Sequence, residues 1–400
     1  DRRQRQMCIR DRSKLQRIFF GEFYRDLKFS DFDLGISISV FFLSMLGIIM
    51  VASVTIPLTE GSLSMTFNHI FKLILSLIVG LFVFRFSLEI WKSVDIVLVL
   101  FSFLLLTLVF FPIIGFEANG ASRWIRVLGF SFQPSELMKF ALIIYISSYC
   151  FRRMTEFKEQ WLGFWKPVCV VVSAIALVLL EPDLGSSAVI FLISLSIMFI
   201  AGAPVKHMLI ILIMGLSVFV SMIILVPWRM QRILSFVDPW SAYGEGGYQL
   251  SQALIAFSRG DLFGVGLGES LQKYHYLPDA QTDFIFAIIA EELGLIFCIF
   301  LIGVYGYLIF KSFALGRNSR LKENYFESFV SYGVGVCLAF HVFINVGVSS
   351  GMLPTKGITL PFISFGGTNL MLMFALIALL LRINLELKES SEINRKVMSG

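Results

Sequence analysis

Long apolar runs broken by short polar or basic segments dominate this chain, and their spacing predicts helices long enough to cross a bilayer, which takes roughly 20 residues each. Ten runs stand out, at about 34 to 58, 69 to 88, 94 to 114, 135 to 150, 167 to 180, 186 to 202, 207 to 227, 284 to 312, 328 to 348 and 365 to 386. The fifth and sixth are short and separated only by Glu181-Pro182-Asp183-Leu184-Gly185, and we count them as two spans. An even number of spans puts both ends on one side. With that side cytoplasmic, internal segments hold 24 Lys and Arg, counting Arg85, Lys311 and Arg382 at the inner ends of their spans, and external segments 7, so the positive-inside rule predicts cytoplasmic termini. The expected fold class is therefore an all-α polytopic membrane protein, with one domain over 31–387.

The flanks and the longest break add to this picture. Residues 1–30 read as a basic, disordered cytoplasmic tail that sets topology and meets anionic lipid, and 388–400 as a second cytoplasmic tail. The first apolar run is too long for a signal peptide and is followed by no small-residue cleavage site, so an uncleaved span is expected. The loop at 228–283 is external and rich in aromatic residues and glycine, as suits a segment lying at the membrane interface. Within it, Tyr248 to Phe257 is apolar on one helical face and predicts an interfacial helix.

Composition agrees with a bilayer protein: hydrophobic residues make up 57% of the chain and charged ones 15%, where a soluble domain carries about a quarter. The net charge of +5 comes from scattered topology signals, so no nucleic-acid partner is expected. The five cysteines form no CxxC pair, and the four histidines have no partner at metal-ligand spacing.

Ionisable groups at apolar spans are costly and so point to function. Asp283 opens the eighth span in LPDAQTDFIFAIIAEELG, either as a functional carboxylate at the outer mouth of a cavity or as a helix cap. Glu291 follows at a helical offset of about 80°, so both could face one groove. Glu136 and Lys139 lie one turn apart in the fourth span, after Arg123 and Arg126. These cations could clamp a lipid diphosphate; alternatively, Lys139 pairs with Glu136 or snorkels, and the arginines meet ordinary headgroups. In EPDLGSS, Asp183 reads as a cap for the next helix or as a second external carboxylate. The segment GMLPTKGITLPFISFGG, with Lys356, is irregular backbone beside hydrocarbon, which is tolerated where it lines a cavity or is buried in protein.

Taken together, GVGLGESLQKYHYLPDAQTDFIFAIIAEELG, NVGVSSGMLPTKGITLPFISFGGTN, QPSELMKF and EPDLGSS resemble the SEDS proteins of bacterial division and elongation, over about residues 30 to 387. YQLSQALIAFSRGDLFGVGLG and LPTKG are similar to the division-type members. The resemblance implies a peptidoglycan glycosyltransferase that polymerises lipid II outside the cytoplasmic membrane at the septum. It also implies a partnership with a class B penicillin-binding protein, an FtsI-type transpeptidase, and with other divisome membrane proteins. The family's essential Asp corresponds to Asp283, and its polar fourth-span positions to Arg123, Glu136 and Lys139. Where the family often has Glu and His this chain has Asp279 and Gln281, and where it often has Tyr and Ser this chain has Phe365 and Asn369. The expected site is thus Asp283 as general base, with Arg123, Glu136, Lys139, Lys356 and Glu291 binding substrate. No cofactor is required by this reading, although a divalent cation such as Mg or Mn could assist the leaving group. Lipid II flippase and elongation-type polymerase are the alternatives.

Overall fold

The computed structural model describes residues 32–59, 61–111, 115–118, 121–127, 130–241 and 246–399. The basic tail expected over 1–30 lies outside these residues. In chain order the helices are α1 (Leu34–Leu58), α2 (Ser64–Arg85), α3 (Leu88–Ser93), α4 (Asp95–Leu108), α5 (Pro134–Arg152), α6 (Met154–Glu159), α7 (Trp161–Leu180) and α8 (Leu184–Ile200). They continue as α9 (Val205–Ile224), α10 (Pro227–Val237), α11 (Tyr248–Gly260), α12 (Ile285–Leu321), α13 (Tyr325–Ser349) and α14 (Gly367–Ser399). By length and composition α1, α2, α7, α9, α12, α13 and α14 can each cross a membrane, while α4 and α8 are apolar but shorter. With α5, whose apolar surface is interrupted by Glu136 and Lys139, these helices coincide with the ten predicted runs.

Burial sorts the helices. Helix α5 is the central one: most of its residues are buried, and it packs on α4, α8 and α13. Ala141, Ser147 and Ser148 keep parts of its surface small enough for neighbouring backbones to approach, as membrane helix interfaces require. Helix α9 is the opposite case, with only Met208 and Ile211 buried and its remaining apolar surface outward.

Two features are additions to the all-helical expectation. Between α4 and α5 a three-stranded antiparallel sheet forms from β1 (Gly115–Ala118), β2 (Ala121–Val127) and β3 (Phe130–Phe132), in the order β1-β2-β3. The stretch 228–283, expected as a loop with one interfacial helix, holds α10 as well as α11.

Helix α12 is broken at Gly294, which has φ 79 and ψ 175. A break in a span leaves amide and carbonyl groups without helical partners, at a cost where water is scarce. Here the segment 261–266 supplies them. Val265 N donates to Glu291 O (2.9 Å) and Gly266 N to Glu292 O (3.1 Å), while Leu295 N donates to Asp261 O (3.0 Å) and Ile296 N to Leu262 O (3.2 Å). Such an approach leaves no room for side chains: a Cβ on Gly264 would sit 2.2 Å from Glu292 O, and one on Gly294 would sit 2.3 Å from Gly264 N. Residues 285–293 therefore form a short rod, fastened to the preceding loop, that begins two residues after Asp283.

Candidate active site

Two irregular segments and the end of α13 meet at the start of that rod. Asn345, at the end of α13, donates through Nδ2 to Asp283 O (2.9 Å) and to Ile358 O (2.7 Å), which ties the Thr282-Asp283-Phe284 segment to the loop after Pro354. Ser364 Oγ donates to Thr282 O (2.6 Å), and Phe365 N donates to Gln281 O (2.9 Å). The backbone of Asp283 is thereby fixed from both sides. Its side chain is half-buried and makes no capping bond; Phe284 is the N-cap residue of α12 and has none either. Instead the carboxylate lies against Gly357, where a Cβ would approach Oδ2 to 2.6 Å.

Asp183 lies on the neighbouring turn and does cap α8: it accepts from Ser186 N (3.1 Å) and Ser186 Oγ (2.7 Å), and Gln133 Nε2 donates to it at 3.1 Å. Gln133 N in turn donates to Thr368 Oγ1 (3.1 Å), so the turn, the start of α5 and the start of α14 are stitched together. Arg123, on β2, donates to Glu181 O (3.0 Å) and Pro182 O (2.7 Å), which docks the small sheet on the same turn.

The electrostatics of this mouth follow from burial first. Removal from water pushes Asp283 up to about 7, with Asp279 and Asp183 adding to the rise and Arg232 opposing it. Burial likewise pushes Glu181 up to about 8; Asp183 adds to this and Arg123 opposes it. Lys356 is lowered to about 8 by burial, with Arg232, Arg229 and Arg123 contributing and Asp183 opposing. A carboxyl that titrates near neutrality beside several cations can take a proton from a hydroxyl and sit next to an anion.

The other predicted residues fall elsewhere. Lys139 is 2% exposed, donates to Glu136 Oε1 (2.7 Å) and lies 3.0 Å from His341 Nε2. His341 Nδ1 is 2.8 Å from Cys337 O; a carbonyl only accepts, so Nδ1 carries the proton and Nε2 accepts from Lys139. Asn369 Nδ2 completes the chain by donating to Glu136 Oε2 (3.2 Å). Lys139 and Glu136 thus join α5 to α13 and α14 beneath the mouth. Glu291 is not brought to Asp283: fully buried, it accepts from Arg259 Nη1 (2.6 Å), Ser270 Oγ (2.5 Å), Leu271 N (3.0 Å) and Gln272 N (3.4 Å).

Sequence reading missed Asn345, Gly357, Arg229 and Arg232. Only the arginines left a signal, three residues apart in PWRMQRILSFV, a stretch apolar on its other face. Among the described residues no group of three or more His, Cys, Asp and Glu side chains could hold a metal ion.

Helical spans around a carboxylate, with cations at one polar mouth, define a polytopic membrane protein with an acid–base site at one end of the bundle. The chain belongs to the FtsW/RodA/SpoVE family, whose model, described as cell cycle protein, matches residues 35–389. It is 43% identical over 368 residues to the probable peptidoglycan glycosyltransferase FtsW of Saccharophagus degradans, covering 91% of this chain and 95% of that one. The protein of the same description from Coxiella burnetii is 40% identical, covering 89% of this chain and 96% of the relative. Among solved structures, a chain from work on the structural coordination of polymerization and crosslinking by a peptidoglycan synthase complex matches at TM-score 0.72 and 26% identity, covering 89% of this chain and 98% of that one. A point mutant of the rod shape determining protein RodA of Thermus thermophilus matches at TM-score 0.66 and 25% identity, with 88% and 97% covered.

Proposed function

We propose that this chain is a peptidoglycan glycosyltransferase of the FtsW type, polymerising lipid II into glycan strands at the outer face of the cytoplasmic membrane during septal wall synthesis. The names of its relatives support the activity and the division role, and the distribution of Lys and Arg supports an external mouth. One observation carries the mechanism: Asp283, its segment held in place by Asn345 and Ser364, presents a carboxyl at a mouth that also gathers Arg123, Arg232 and Lys356.

In the reaction the 4-hydroxyl of one lipid II attacks the anomeric carbon of the growing chain, forming a new carbon–oxygen bond. The bond from that carbon to the diphosphate breaks, and its electron pair stays on the diphosphate oxygen. Asp283 takes the hydroxyl proton, a form of assistance worth about 100-fold to 10,000-fold in rate. A single displacement inverts the anomeric centre and needs no covalent enzyme intermediate. The leaving diphosphate needs charge stabilisation more than a proton, and the cations of the mouth supply it. Lys139 and Glu136 act as positioning residues, holding the starts of α5 and α14 beneath the mouth.

A flippase would use a polar path through the bilayer. Lys72 packs over the Phe365 ring (3.8 Å to its centroid), and Lys139 and Glu291 are each held by local partners, which argues against such a path. A class B penicillin-binding protein is the proposed partner, supported by the likeness to a chain from a peptidoglycan synthase complex. The deciding experiment is polymerisation of lipid II in detergent by the purified chain with its transpeptidase partner, where no membrane sides exist. Glycan product from the parental protein and none from Asp283→Asn is expected; product at the parental rate from the variant would show that Asp283 is not the base.

A further inference from the structure

Helix α10 carries two arginines whose surroundings ask for an anion. Arg229 is 8% exposed; one Nη donates to Met222 O (3.1 Å), while its Nε is buried with no hydrogen-bond partner. A buried guanidinium N–H left unpaired is unfavourable unless a ligand completes it. Arg232 is exposed, one turn further along the same helix. Both guanidinium groups lie beside the Trp228 ring, at 5.1 and 5.2 Å from its centroid, which limits their freedom.

These arginines do not stand alone. Burial lowers both below the usual arginine range, and the positive field of Arg123 adds to that effect. Arg229 and Arg232 also act on Lys356, and Arg232 acts on Asp283. None of Arg123, Arg229, Arg232 and Lys356 has a carboxylate within ion-pair distance among the described residues. Four cations that gather at one mouth without paired acids repel one another, and a polyanion of matching size relieves that repulsion. Planar forks suit phosphate oxygens especially well. Trp228, Met230 and Leu234 meanwhile leave apolar surface exposed on α10, as a helix beside acyl chains would.

We propose that Arg229 and Arg232 of α10, together with Arg123 and Lys356, form the binding site for the diphosphate of a polyprenyl-linked sugar. This deepens the glycosyltransferase reading and rests on it for the identity of the ligand. The helix presents guanidinium groups to the diphosphate and apolar side chains to the polyprenyl tail. During transfer the diphosphate gains one further negative charge as the anomeric carbon–oxygen bond breaks, so the same groups that bind the substrate bind the leaving group more strongly.

The test measures binding of undecaprenyl diphosphate, and of undecaprenol as a control, to the purified full chain in nanodiscs. Arg232→Gln, at an exposed position, should bind the diphosphate lipid about 10- to 100-fold more weakly and undecaprenol unchanged. Arg229→Lys keeps the charge of the buried position but not the fork, and should also weaken the diphosphate lipid selectively. Parental affinity for undecaprenyl diphosphate in both variants, or an equal loss for undecaprenol, would overturn the proposal. Asp283→Asn separates the two readings, because it removes a negative charge beside Arg232 and should bind undecaprenyl diphosphate at least as tightly as the parent does while forming no glycan. A parental chain with arginine-dependent binding but no polymerisation of lipid II would overturn the glycosyltransferase reading and leave the anion site standing.

Discussion

The carboxylate of Asp283 occupies the space that a side chain at residue 357 would need, with Oδ2 only 2.6 Å from the position of a Cβ on Gly357. Gly357 sits between Lys356 and Ile358, whose carbonyl Asn345 holds, so the backbone at 357 is fixed and the carboxylate, the far end of a side chain, is what must give way. Gly357→Ala should therefore push the carboxylate off its position without unfolding the protein. A misplacement of about 1 Å can cost about 100-fold in rate, and a loss of that order is expected in lipid II polymerisation with an unchanged melting temperature.

A general base works only when deprotonated, and Asp283 is raised to about 7, so polymerisation should climb with pH through about 7 and level off above it. The stability effect has the opposite sense. The folded carboxyl holds its proton more tightly than the unfolded one, so the native state binds the extra proton between about 4 and 7 and is progressively destabilised as pH rises through that window. Asp283→Asn removes this penalty. It should raise the melting temperature at pH 8, leave it little changed at pH 4, and abolish the pH-dependent rise in rate. A variant melting below the parent at pH 8 would contradict the burial argument.

Lys139→Met leaves Glu136 buried without its cation. Breaking one side of a buried pair costs about 3 to 5 kcal/mol, and the expected result is a large drop in thermal stability. The double variant Glu136→Gln with Lys139→Met should recover much of that loss, because no uncompensated charge remains. A double-mutant cycle of melting temperatures checks this, and additive losses would mean that the two side chains are not coupled.

At Gly294 a side chain would collide with the Gly264 amide and would also require positive φ. Gly294→Ala should loosen the loop over 261–266 from α12. Faster amide hydrogen exchange at Val265, Gly266, Leu295 and Ile296 is the expected signature, since those four amides form the joint.

The helices were legible because a span must be long and apolar, a demand written directly into composition. The break at Gly294 was not, since hydropathy stays high across it and the groups that satisfy it come from 30 residues earlier. The three short strands lacked a run long enough to show alternation. At the site, Asp283 was legible as a carboxylate at the opening of a span, where such groups are rare. The alternatives for Lys139 were not separable in sequence, because its second partner, His341, lies 202 residues away. Arg229 and Arg232 read as two more topology cations until α10 carried them to the mouth.

The broken helix has a mechanical consequence. The rod over 285–293 accepts backbone hydrogen bonds from the 261–266 loop, Leu295 and Ile296 beyond the joint donate back to that loop, and the Asp283 segment is clamped to the 358–365 loop by Asn345 and Ser364. The Asp283 carboxylate and the loops around it are thus fastened into one body, joined to the rest of α12 through Gly294 and through the bonds that Leu295 and Ile296 make to the 261–266 loop. A tilt of the part of α12 beyond Gly294 is therefore passed through those two bonds to the 261–266 loop, and from there to the rod that begins beside the carboxylate.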